Sequence, residues 1–98
     1  MLSEVEDQLL RGIAEKIGKK QMQLATQLGI DKTKVANTNT DNKDNQADAT
    51  FILLSEWKNG LEYSIQRSNR KIFSLLFDAL KKIERNDIIV HVVNVSSF

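Results

Sequence analysis

An all-α bundle is the architecture this sequence predicts, on three observations. Apolar residues recur at helical spacing in successive segments, each with one apolar face. Those segments open on Ser or Asp and close on Gly, residues that start and stop helices. The one β-branched run, Ile88 to Val93, favours a strand by propensity but has no second strand to pair with. An unpaired strand leaves its ladder groups unsatisfied, so a short helix starting at Asp87 is expected, with Ile88, Ile89, Val92 and Val93 inward.

The first helix begins at Ser3, whose hydroxyl forms a capping box with Glu6. It carries Val5, Leu9, Leu10, Ile13, Ala14 and Ile17 on one face and stops at Gly18. The second runs from Lys19 to Leu28 with Met22, Leu24, Ala25 and Leu28 inward, and Gly29 ends it. Asp31 caps a third helix through about Asn37. Residues 37–48 contain four asparagines and one apolar residue, a composition that favours turns, so they are expected to form a loop within one domain. A fourth helix carries Ala49, Phe51, Ile52, Leu53, Leu54 and Trp57, and should stop at Asn59-Gly60 with a residue in the left-handed region. Leu61 to Arg67 reads as a polar connection. Ser68 then caps a fifth helix whose stripe of Ile72, Leu76, Ala79, Leu80 and Ile83 is widened by Phe73, Leu75 and Phe77. So wide an apolar face belongs at the centre of the core.

With 98 residues, 41% apolar, 28% charged and no cysteine, residues 1–98 suit one globular domain that needs neither disulfide nor metal. Seven bases against eight acids in residues 1–49, and seven against five in residues 50–98, leave a net charge of +1. No global field draws the chain to nucleic acid or an anionic bilayer. The opening MLSEVEDQLL lacks a basic region and an apolar run, and no window has the apolar length of a membrane span, so a cytoplasmic protein is expected.

The inventory argues against an enzyme. The chain has no cysteine nucleophile, one histidine and none of the phosphate-loop, nucleophile-elbow or zinc-protease motifs. His91 lacks partners for a zinc set, and the acid pairs Glu4/Glu6 and Asp41/Asp44 lie in caps and loops where solvation suffices. No cofactor or small-molecule substrate is expected. Trp57 reads as a core anchor.

One stretch carries a second meaning. In Ala25-Thr26-Gln27-Leu28-Gly29, followed by Val35, a small residue, a turn glycine and an aliphatic anchor take the spacing of a DNA-binding helix-turn-helix. Residues 19–37 would form it, with Lys32 and Lys34 toward phosphate. The next residues, Ala36 to Asn39, supply none of the further cations a groove reader adds. This is the alternative reading, and nucleic acid is not the expected partner.

Taken together, the later helices resemble a death domain, the six-helix interaction module of apoptotic and innate immune signalling. The resemblance covers about residues 13–93. It rests on Leu24-Ala25-x-x-Leu28-Gly29-Ile30, Val35, Leu53-Leu54-x-x-Trp57-x-x-Gly60 and Leu76-x-x-Ala79-Leu80-x-x-Ile83-x-x-Asn86-Asp87. The chain departs from the family where a helix-two tryptophan falls at Gln21 and a helix-three aliphatic falls at Thr38, so these two helices either pack differently or are partly mobile.

The resemblance implies a six-helix antiparallel Greek-key bundle that performs no chemistry. It acts instead as an adaptor, docking to other death domains or to copies of itself through asymmetric contacts that propagate. Three surfaces correspond to those the family uses. They are the third helix (Asp31, Lys32, Lys34), the end of the fourth with its following loop (Lys58, Asn59, Glu62, Tyr63), and the corner before the sixth (Glu84, Arg85, Asn86, Asp87).

Overall fold

The computed structural model of the chain describes residues 4–90. Helices α1 (Glu4–Ile17), α2 (Gln21–Leu28), α3 (Lys32–Asp41), α4 (Gln46–Asn59), α5 (Tyr63–Gln66) and α6 (Asn69–Lys82) follow in order, with a 3-10 turn at Gly18–Lys20. Residues 86–90 are helical too, and no strand occurs among the described residues. The β-branched run therefore begins as a helix, as its lack of a pairing partner requires. Ser3, His91, Val92 and Val93 lie outside the described residues.

Glycines and caps set the boundaries. Gly18 has φ +51° and ends α1, and Gly29, at φ +80°, ends α2. There the Gly29 amide reaches the Thr26 carbonyl at 3.1 Å and the Ile30 amide reaches Ala25 at 2.9 Å, a Schellman closure that satisfies the helix's last carbonyls. The Ser68 hydroxyl accepts from the Lys71 amide at 3.3 Å at the start of α6. Gly60 departs from expectation. It does follow α4, but at φ −87°, in the right-handed region, because its amide continues the helical pattern to Glu56 and Trp57.

Two further boundaries differ from the sequence reading. The polar stretch at 37–48 is mostly helical: α3 continues to Asp41 and α4 starts at Gln46, leaving residues 42–45 as the loop. The polar side chains compete less with the helix than their composition suggests because the fold gives them partners within it. Thr40 Oγ1 donates to the Ala36 carbonyl at 2.9 Å, Asn42 Nδ2 donates to Thr38 at 3.0 Å, and Asn45 caps α4 by accepting from the Asp48 amide at 3.1 Å. The connection after α4 also holds the short α5, whose first turn closes on the Glu62 carbonyl while Ile65 packs on the core.

α6 is central. Its Ile72, Leu76 and Leu80 are fully buried, together with Leu9, Leu10, Ile13 and Ile17 of α1, Leu24 of α2, Leu54 of α4 and Ile88. Trp57 and Phe77 pack against this core half-buried, and Phe77 meets Phe73 with ring centroids 6.2 Å apart. Met22 and Leu75, placed on apolar faces by the sequence, are each 40% exposed. A second, smaller cluster of Ala25, Val35 and Leu53 joins α2, α3 and α4, with Ile30 against it.

The departure at Gln21 now has a physical account. Gln21 is 5% exposed, and its amide forms a reciprocal pair with Asn39, Nε2 to Oδ1 at 3.0 Å and Asn39 Nδ2 to Oε1 at 2.8 Å. Its Nε2 also donates to Thr50 Oγ1 at 2.8 Å. A hydrogen-bonded amide ties α2, α3 and α4 together where the family pattern has a large aromatic, with buried polar groups satisfied rather than orphaned.

Candidate docking surface

The structure joins two of the three expected surfaces. Asp31 caps α3, its Oδ1 accepting from the Thr33 amide at 2.8 Å, which fixes where Lys32 and Lys34 emerge. Lys34 Nζ lies 3.0 Å from Glu56 Oε2 of α4. Both side chains are about half exposed, so the pair contributes only about 0 to 1 kcal/mol; its importance is positional, because it brings the start of α3 to the end of α4. Beneath it lies a cleft of about 360 Å³ lined by Ile30, Asp31, Lys34, Leu53, Trp57 and Leu61 among others. A second cleft of about 260 Å³ shares Trp57 and Leu61 and reaches Asp78 and Lys82 of α6. The half-buried Trp57 therefore supports the core with one part of its ring and lines both clefts with the rest.

Asn59, Glu62 and Tyr63 continue this exposed surface onto α5. Tyr63 is 73% exposed, with the Arg67 guanidinium 5.4 Å from its ring centroid. Lys58 does not belong with them. It is 4% exposed, one helical turn beyond the buried Leu54 and on the same face. The sequence reading places Lys58 on a docking surface, but its long aliphatic stem suits it to packing inside.

The third surface, the corner after α6, is built differently. Arg85 Nη1 donates to the Ile17 carbonyl at 3.2 Å and Nη2 to Lys16 at 2.9 Å, capping the C-terminus of α1 across 68 residues of sequence. Its Nε and Nη2 also bind Asp87 as a two-pronged pair at 3.0 and 3.1 Å. Arg85 thus holds the fold rather than standing free for a partner. Asp87 lies inside the helix at 86–90 rather than capping it. Exposed Glu84 turns the corner at φ +62°, a left-handed conformation that costs a residue with a Cβ roughly 1 to 2 kcal/mol.

Two predictions arise here. Glu84→Gly is expected to raise stability by about 1 kcal/mol, less than the full relief because glycine gains freedom when unfolded. A melting temperature that falls instead would contradict the strain. The second concerns Asp87, whose carboxyl lies below its usual range chiefly because Arg85 hydrogen-bonds to it, with desolvation opposing and the guanidinium charge assisting. A depressed folded-state value means a contribution that is present above the unfolded value of about 3.9 and is lost as pH falls through the lowered one. A carboxyl-detected NMR titration should place the Asp87 midpoint below about 3.9 and show Arg85→Gln moving it up. An unmoved midpoint would exclude Arg85 as the cause.

A family model described as Death domain matches residues 7–95. The chain belongs to the death domain family. Its fold is accordingly the six-helix death fold, and the all-helical described residues are consistent with it. No curated protein and no solved structure matches the chain. Death domains are protein-interaction modules of signalling that bind other death domains, and this chain is such a module. No helix among the described residues is long and apolar enough to cross a membrane. Family membership does not favour the helix-turn-helix reading of residues 19–37. Ala25, Gly29 and Val35 do form the close crossing, turn and anchor which that spacing requires, but within the death domain they bind α3 to α2 and α4.

Sequence reasoning missed Glu56 and the Gln21–Asn39–Thr50 network, whose members lie too far apart in the chain for any local pattern to join them. The Tyr63–Arg67 contact escaped as well, because Leu61 to Arg67 reads as a polar connection and only the short α5 makes residues four apart neighbours.

Proposed function

We propose that the chain is an adaptor-type death domain of apoptotic or innate immune signalling, acting in the cytoplasm by stacking against other death domains, including copies of itself. The observation that carries this reading is the surface formed where Lys34 meets Glu56 over the cleft lined by Trp57, with exposed Lys32, Asn59, Glu62 and Tyr63 adjoining the cleft-lining residues in the chain. The α1 end of the molecule is chemically different. There Gln46, at the start of α4, donates to the Gly18 carbonyl at 3.2 Å, beside the Arg85 clamp on Ile17. The 14 residues of α4 separate these two ends by about 20 Å. Unlike surfaces at opposite ends support a head-to-tail contact, which propagates where a two-fold contact would close.

The test is binding to a panel of purified death domains, with the chain itself included. Lys32→Glu and Glu62→Lys are expected to weaken association about tenfold or more, roughly 1.4 kcal/mol each, with helical circular dichroism unchanged. Association that both variants leave intact would contradict the surface. Charge reversal at Lys58 or Arg85 is unsuitable for this purpose, because one is buried and the other clamps α1.

A further inference from the structure

We propose that Tyr63 is an acceptor for phosphoryl transfer by a protein tyrosine kinase, and that Arg67 holds the phosphate once it is added. Three observations converge on this residue. Its ring is 73% exposed, so the phenol is open to an enzyme's active site without global unfolding. It lies on α5, a four-residue helix whose members are all half-buried or exposed. Side-chain bonds from Gln66 to the Asn59 and Leu61 carbonyls brace the segment. Held by these two bonds and the core contact of Ile65, this single turn opens locally at less cost than the long helices, and can adopt the extended conformation in which a kinase grips its substrate. Finally, the Arg67 guanidinium already stands 5.4 Å from the ring centroid. A short rotation along the ring axis exchanges this contact for charge-assisted hydrogen bonds to a phosphate on Oη.

In the reaction, Tyr63 Oη attacks the γ-phosphorus of a magnesium-bound nucleoside triphosphate. The bond from that phosphorus to the oxygen bridging the β-phosphate breaks, the phenolic proton passes to the kinase's base, and the nucleoside diphosphate leaves. The product carries about −1.5 to −2 charges beside Glu62, where the unmodified surface offers a phenolic hydroxyl. Any effect on assembly rests on the docking surface proposed above, whereas the acceptor role and the Arg67 latch do not.

The chain contains one tyrosine, which makes the test direct. The full chain is incubated with magnesium ATP and a broad-specificity tyrosine kinase domain, beside a peptide of residues 58–68 as the unfolded reference. Intact mass should show one phosphate, absent in Tyr63→Phe, added at a rate within about tenfold of the peptide's. Phosphorus NMR should then place the second ionisation of the phosphate below the peptide's value of about 6, with Arg67→Gln restoring it. A folded chain modified more than about a hundredfold more slowly than the peptide would overturn the acceptor site, and an ionisation indifferent to Arg67→Gln would overturn the latch. Neither readout requires a binding partner, so failure of the docking surface leaves both standing.

Discussion

Leu76→Ala is expected to cost about 3 kcal/mol and to lower the melting temperature by about 12 to 24 °C. Leu76 is fully buried near the middle of α6, in the cluster that also takes residues from α1, α2, α4 and the helix at 86–90. Truncation removes apolar area from the core and leaves a cavity that helices held from several sides are poorly placed to fill. Thermal unfolding followed by circular dichroism measures the effect. A loss under about 1 kcal/mol would mean that α6 is not the central element.

Gln21→Ala should cost about 2 kcal/mol, with an effect concentrated in α3. The substitution deletes both bonds of the amide pair and leaves the Asn39 amide without its partner in a part-buried site. α3 has little else to hold it. Val35 is its buried apolar anchor, the remaining side chains are half-buried or exposed, and the Lys34–Glu56 pair is solvent-screened. Amide hydrogen exchange in α3 should therefore quicken up to about 30-fold while that of α6 changes less. Uniform acceleration of both helices, or none in α3, would contradict the view that the polar network fixes this element.

The sequence made much of the fold legible where periodicity and punctuation agreed. The stripe of α6, the glycines after α1 and α2, and the caps at Asp31 and Ser68 are local signals with local causes. What escaped it was set by tertiary contacts. Asn37 to Asp41 are helical with local bonds from Thr40 and Asn42 and with Asn39 meeting Gln21 of another helix, and no window of sequence contains that last pair. Residues 63–66 form a turn of helix because Ile65 reaches the core and Gln66 reaches back over the connection. The proposed docking surface was legible as three separate patches. Composition could not show that the first two merge through Lys34 and Glu56, that Lys58 turns inward, or that Arg85 is occupied with the end of α1.

This division between residues that hold the fold and residues that face outward is the core of the account. It is tested most directly by an isotope-labelled NMR titration of the chain with a death domain that binds it. The perturbed amides should cluster at residues 31–34, 56 and 59–67, with the Gln21 network unchanged. Perturbations confined to the network, with the α3–α4 surface silent, would contradict it.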